Sequence, residues 1–157
     1  MRIGFGYDSH RLVPGRALVL GGVQIPNAMG PEAHSDGDAL LHALIDALLG
    51  ACALGDIGGL FPPSDEQYRD ISSRILLERT LSLLSEKGFQ PRNVDATILL
   101  DSPRLGPFID GMRSTLSTDL GVPAAAISVK AKTREGLSLT GEGRTVEAYA
   151  VALVDEP

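Results

Sequence analysis

The run SDGDALLHALIDALLGACALG, residues 35–55, constrains the fold more than any other stretch of the chain. Leu40, Leu41, Leu44, Ile45, Leu48 and Leu49 recur at helical spacing, and a helix this apolar must be largely buried. Ser35, with Asp38 three places on, predicts its N-terminal cap, and Gly50 and Gly55 mark its stops. A polar stripe crosses the helix, because Asp38, His42 and Asp46 stand at i, i+4 and i+8 on one face. Buried polar groups need polar partners. The fold must therefore bring polar side chains against that stripe.

The start of the chain offers such partners. In GFGYDSHRL, residues 4–12, an extended backbone points Ile3, Phe5 and Tyr7 to one face and Asp8 and His10 to the other. The chain has only three histidines, His10, His34 and His42. A carboxylate and two imidazoles, Asp8, His10 and His42, suit Zn²⁺ and leave a fourth position open to substrate. Asp46, one turn beyond His42, then stands where it would orient the imidazole. A plainer account has His42 as a core histidine bonded to Asp38 or Asp46, with Asp8 and His10 shaping a turn. Spacing alone leaves both open. HSDGD adds His34, Ser35 and Gly37 at the helix start, where a phosphate would meet free N–H groups and the positive dipole end. Capping by Ser35 and Asp36 explains the same residues.

The remaining segments predict a mixed α/β (α+β) order. ALVLGGVQI reads as two short strands meeting at Gly21-Gly22, and GGLFPPSDEQYRD as a mobile loop. SSRILLERTLSLLSEKG is a second amphipathic helix ending at Gly88, and NVDATILLD a strand stopped by Pro103. PFIDGMRSTLSTDLG spaces Ile109, Met112, Leu116 and Leu120 as a third helix. AISVKAKT and TVEAYAVALV close the chain as strands. At 157 residues, without internal repeat or low-complexity linker, one domain over residues 1–157 is expected. Helices are expected to cover one face of a mixed sheet. If the other face stays apolar, an oligomer must bury it.

Composition narrows the partners. A net charge of −6 argues against nucleic acid, which is bound through Lys and Arg. Aromatic residues at 4%, with no Trp, argue against a base-stacking platform. The lone Cys52 sits in an apolar run, the setting of a buried thiol in a reducing cytoplasm. No signal peptide pattern and no membrane-length apolar run is visible.

RIGFGYDSH, AHSDGDALLHALIDALLGACALGDIGGLFPPSD, NVDATILLDSPRLGP and VKAKTREGL, taken in order, resemble the 2-C-methyl-D-erythritol 2,4-cyclodiphosphate synthases of the non-mevalonate isoprenoid pathway. The resemblance runs the length of the chain. It implies a homotrimer assembled around the sheets, with active sites between subunits, and a metal-dependent phosphorus–oxygen lyase. The implied substrate is 4-diphosphocytidyl-2-C-methyl-D-erythritol 2-phosphate. Its 2-phosphate attacks the β-phosphorus, releasing CMP and the cyclic diphosphate. Asp8, His10 and His42 match the ligands of a divalent metal, usually zinc, and Glu135 matches the carboxylate for a second ion, Mg²⁺ or Mn²⁺. His34 and Thr133 match the residues that stabilise the transition state, and Ser35 a neighbouring substrate contact.

The same resemblance places Asp56, Ile57 and Gly58 at the ribose. Phe61, Pro62, Pro63, Ser64 and Asp65 match a flexible loop over the methylerythritol phosphate. The cytosine pocket falls on Leu100, Asp101, Ser102, Pro103, Arg104, Leu105 and Gly106, with Ala131 and Lys132. Arg134 and Leu139 are carried over as further substrate contacts. Singly, Asp56 is also a turn residue, Phe61 a core residue, and Arg134 and Glu135 solvated loop charges. The chain departs from the family at Glu142 and Arg144, where many members carry Arg and Glu, at Lys132, often Thr, and at Arg104, usually Lys. A phosphohydrolase, in which water replaces the attacking phosphate, and a non-catalytic trimer holding zinc and isoprenoid phosphates are the competing readings.

Overall fold

A computed structural model describes residues 1–135 and 144–157. Leu139 and Glu142 lie outside the described residues. The long strand β1 (Arg2–Pro14) is followed by the short strands β2 (Leu18–Leu20), β3 (Val23–Ile25) and β4 (Met29–Pro31). The buried helix α1 (Ala39–Ala51) comes next, then the single turn α2 (Ile57–Leu60) and the helix α3 (Ser73–Glu86). Strand β5 (Gln90–Leu99), helix α4 (Ile109–Leu120), and strands β6 (Ile127–Lys132) and β7 (Thr145–Asp155) complete the chain. The expected mobile loop thus holds α2 and a 3₁₀ turn at Glu66–Tyr68.

The main sheet has the order β4-β1-β7-β5-β6, and β2 pairs with β3 across Gly21-Gly22 in a separate hairpin. Only β5 and β6 run parallel, joined through α4; β7 is antiparallel to both of its neighbours. Consequently the C-terminal ends of β1, β5 and β6 and the start of β7 share one edge of the sheet: Arg11 pairs with Thr145, and Leu99 with both Glu147 and Lys132.

Why α1 carries so little polar surface follows from its position. It lies against β1 and β7 on one side and α3 on another, so every residue from Ala39 to Leu49 except Asp46 is buried. The floor beneath it is built of small residues. Gly4 pairs with Ala152, Gly6 with Ala150 and Asp8 with Ala148. A Cβ on Gly4 would stand 1.8 Å from the Ala47 carbonyl oxygen, and one on Gly6 1.9 Å from that of Ala43. The two glycines are there because helix and strand backbones touch.

The cap of α1 differs from the expectation. Asp38, not Ser35, is the N-cap: its carboxylate accepts from Leu41 N–H and from the N–H groups of Gly21 and Gly22 at 2.9 and 2.7 Å. Asp38 has the extended backbone that an N-cap needs, whereas Ser35 lies a turn too early and instead accepts from Gly37 N–H. Burial pushes the Asp38 carboxyl up to about 6, against the lowering effect of its backbone hydrogen bonds. At this helix start the N–H groups of Gly37, Asp38 and Leu41 are taken by Ser35, Asp36 and Asp38 in turn.

Among the described residues no helix covers the opposite face of β1. Ile3 is 69% exposed, Phe5 63% and Tyr7 44%, and Tyr149 on β7 packs against Tyr7 with ring centroids 5.0 Å apart. Among the described residues no helix is long and apolar enough to cross a membrane. Cys52 is buried and free, and burial raises its thiol pKa.

Candidate metal centre and the adjoining cavities

The alternation of β1 sends Asp8 and His10 toward the helices, and the small floor lets α1 come close enough to bring His42 to them. Oδ2 of Asp8 lies 2.7 Å from His10 Nε2 and 3.1 Å from His42 Nδ1, and the two ring nitrogens are 3.3 Å apart. The three donor atoms therefore form a small triangle on one point. Bonds of about 2.0 Å in a tetrahedral ion place ligand atoms about 3.3 Å apart, close to these edges. The donor set and the spacing fit a divalent metal ion, and the three residues form the metal-type cluster of the described chain.

The charges at the trio agree with that role. Burial acts to raise the Asp8 carboxyl, but hydrogen bonds from His10 and His42 and their positive charge outweigh it, leaving its pKa below the usual carboxylate value. Burial acts to lower His42, yet its hydrogen bond to Asp8, with the charges of Asp8, Asp38 and Asp36, raises it. This corner of the protein is negatively poised. A cation is what such a site attracts.

What holds the His42 ring is a chain of partners that spacing did not disclose. Nε2 lies 2.9 Å from Ser73 Oγ and 3.2 Å from Ser35 Oγ. The Ser73 hydroxyl donates in a short hydrogen bond to Asp36, whose other oxygen accepts from Ser73 N–H at 2.9 Å. A carboxylate is acceptor-only, so the Ser73 proton points to Asp36 and its oxygen is left to accept. His42 then donates Nε2–H to Ser73; without a metal at the trio its Nδ1–H also donates to Asp8, and with a metal bound the Nδ1 lone pair would be the ligand. Asp46, expected to orient this ring, instead accepts from Ile57 N–H at 2.8 Å. One turn of helix carries its carboxylate to the α2 segment, beyond the imidazole.

Beside the trio opens a cavity of about 330 Å³ lined by His10, His34, Ser35, His42, Ile57, Gly58, Phe61 and Pro63, among others. His34 is tied to the far wall, its Nε2 lying 3.2 Å from the Asp65 carbonyl oxygen. Phe61 is buried and meets the Tyr68 ring edge-on, while Pro62, Pro63, Ser64 and Asp65 are partly or fully exposed around it. Asp56 is exposed and caps α2, Oδ1 accepting from Gly59 N–H at 2.7 Å. Arg16, which no motif singled out, grips the segment bearing His34 and Ser35: its guanidinium donates to the carbonyls of Pro31, Ala33 and Ser35 at 3.1, 3.2 and 2.9 Å.

A second cavity, also about 330 Å³, is lined by Leu100, Arg104, Leu105, Gly106, Ala131, Lys132 and Thr133 with Pro107 and Ile109. No residue is common to the two cavities. Ser102 and Pro103 lie in the bend between β5 and this cavity, and Asp101 faces Arg134 rather than the cavity. Thr133 and Glu135 are exposed and joined to each other, the Thr133 hydroxyl donating to Glu135 Oε1 at 2.8 Å.

The sequence pattern of the YgbB family matches residues 1–155. The 2-C-methyl-D-erythritol 2,4-cyclodiphosphate synthase of Moorella thermoacetica is 55% identical over 154 residues, covering 98% of this chain and 94% of that protein. The synthase of the same name from Symbiobacterium thermophilum is 51% identical, covering 98% of each. A solved structure of a 2C-methyl-D-erythritol-2,4-cyclodiphosphate synthase superposes with a TM-score of 0.91 at 45% identity, over 98% of this chain and 100% of that one. A CDP-bound form gives 0.90 at 44%, with the same coverage. With its strand-and-helix metal trio and this likeness along nearly its whole length, the chain belongs to the YgbB family of 2-C-methyl-D-erythritol 2,4-cyclodiphosphate synthases.

Proposed function

We propose that this chain is a cyclising phosphorus–oxygen lyase that converts 4-diphosphocytidyl-2-C-methyl-D-erythritol 2-phosphate into 2-C-methyl-D-erythritol 2,4-cyclodiphosphate and CMP. The observation that carries this reading is the Asp8–His10–His42 triangle opening on a cavity, in a chain 55% identical to a protein so named. An oxygen of the 2-phosphate forms the new bond to the β-phosphorus, and the bond to the α-phosphate oxygen breaks. The electron pair leaves with CMP. No protein nucleophile is required.

The protein's task is to bring two anionic groups together in line. Zinc fits the two-imidazole, one-carboxylate set at Asp8, His10 and His42. When bound, it supplies polarisation of a phosphoryl oxygen. His34 and Ser35, held by Arg16 and Asp65, would flank the reacting phosphates from one wall. Thr133 and Glu135 would act from the other, Glu135 toward Mg²⁺ or Mn²⁺ on the diphosphate. Asp56, Ile57 and Gly58 would meet the ribose, and residues 61–65 the methylerythritol phosphate. The cavity of Leu100, Arg104, Leu105, Gly106, Ala131 and Lys132, about 330 Å³, has room for a pyrimidine, and a CDP-bound relative of the same fold supports that assignment. The Arg134 guanidinium is engaged by Glu147 and its backbone N–H by Asp101, so a substrate contact at Arg134 rests on the resemblance. Leu139 is carried only by the resemblance.

A homotrimer completes this arrangement. The exposed Ile3–Phe5–Tyr7 face and the separation of the two cavities support active sites shared by neighbouring subunits. The lone buried thiol supports a cytoplasmic setting. A ³¹P NMR time course with Zn²⁺ and Mg²⁺ tests the reaction. Cyclic diphosphate and CMP are expected from the wild type and neither from His42→Ala; CMP with an open-chain 2,4-bisphosphate would point to hydrolysis instead.

A further inference from the structure

After β6 the chain turns through Thr133, Arg134 and Glu135, and Glu135 has a left-handed φ of 51°. Thr133 and Glu135 are exposed, yet the Arg134 side chain between them is only 10% exposed. Its Nη2 donates to Glu147 Oε1 at 2.5 Å, and its Nη1 to the Thr145 carbonyl at 3.4 Å while lying 3.8 Å from Asp101 Oδ2. The Arg134 backbone N–H donates to Asp101 Oδ1 at 2.8 Å. Glu147 stands at the start of β7, opposite Leu99 of β5, and its second oxygen accepts from the Tyr149 hydroxyl at 3.5 Å.

The turn is thus fastened at its middle residue to two carboxylates on separate segments. The guanidinium takes Glu147, while Asp101 holds the backbone N–H and adds its charge 3.8 Å from Nη1. With Arg134 so buried, removing one acid leaves a desolvated charge short of its partner, which is far costlier than breaking an exposed pair. Residues on either side of the anchored position, Thr133 and Glu135, have their backbone fixed by it.

We propose that Glu147 is a positioning residue. Through Arg134 it sets the backbone of residues 133–135, and so the placement of the Thr133 hydroxyl and the Glu135 carboxylate. The inference rests on the roles given to Thr133 and Glu135 under the proposed function.

The test compares Glu147→Ala, Glu147→Gln, Arg134→Ala, the double variant Glu147→Ala/Arg134→Ala and the exchange Arg134→Glu/Glu147→Arg in the full chain. Amide hydrogen exchange over residues 133–135 reads the clamp without reference to activity. Exchange there should rise about tenfold in each single variant, with α1 still protected and the double variant no worse than either single. Glu147→Gln, which keeps the shape, isolates the charge if Glu147→Ala folds poorly. In CMP release by Glu147→Ala and Glu147→Gln, the Mn²⁺ concentration for half-maximal rate should rise while KM and the metal bound at the Asp8 trio stay unchanged, and the charge exchange should restore part of the lost protection and part of the Mn²⁺ response. Unaltered exchange in Glu147→Ala and Glu147→Gln overturns the clamp. Raised exchange with unaltered Mn²⁺ demand overturns its link to the reaction. A wild type that releases no CMP overturns the proposed function instead, and the exchange data still judge the clamp.

Discussion

At the scale of single residues, the metal trio depends on groups that never touch the metal position. Ser73 passes the acceptor strength of Asp36 to the His42 ring and holds the Nε2 proton, so that Nδ1 is the nitrogen that would face a metal. Such supporting hydrogen bonds are worth about 10–100-fold in metal affinity. Ser73→Ala should therefore weaken zinc binding about tenfold or more, read by competition with a chromogenic chelator, with thermal unfolding of the metal-free protein checked alongside. An unchanged affinity would mean that Ser35, 3.2 Å from the same nitrogen, suffices to orient the ring. Asp8, His10 and His42 were visible in the sequence because strand and helix periodicities single them out. The Ser72-Ser73 pair opening another helix reads as a cap, so Ser73 was not.

At the scale of elements, the pairing of β1 with α1 is the decisive one. The glycines at 4 and 6 admit the helix backbone to contact distance, and without that approach His42 could not reach Asp8 Oδ2 at 3.1 Å. Gly6→Ala would place a methyl group 1.9 Å from the Ala43 carbonyl oxygen. Since that atom is backbone, the helix as a whole must move. A stability loss of at least about 1–3 kcal/mol is expected in urea denaturation, together with weaker metal binding. Full stability in this variant would refute the close-contact account. Glycine within a strand pattern is a signal of close backbone approach, so these two positions were available to a closer reading of GFGYDSH. The burial of α1 was legible from its composition. Its cap was misplaced because Ser35 and Asp38 both suit the role, and only the hairpin at Gly21-Gly22, docking on Asp38, decides between them.

At the scale of the molecule, two features ask for company: a sheet face bearing exposed Ile3, Phe5 and Tyr7, and two cavities with no common wall. Phe5 lies on the opposite side of β1 from Asp8 and His10, so a change there need not disturb the metal trio. Phe5→Glu should break the proposed trimer into single chains in sedimentation velocity, retain zinc, and lose cyclisation. A persisting trimer, or full activity in single chains, would count against sites shared between subunits.

The sequence by itself determined the mixed α/β order, the buried helix and the alternation of β1, because these depend on local periodicity and on the cost of leaving apolar surface in water. The same periodicities offered Asp8, His10 and His42 as one of two readings, and the family resemblance chose between them. Tertiary structure alone decided what stands behind them. The Asp36–Ser73–His42 chain spans 37 positions, Arg16 grips carbonyls up to 19 positions away, and Glu147 meets Arg134 across 13. Hydrogen bonds over such separations have no period in the chain. They exist because packing brings already-formed elements together and then requires every buried polar group to find a partner.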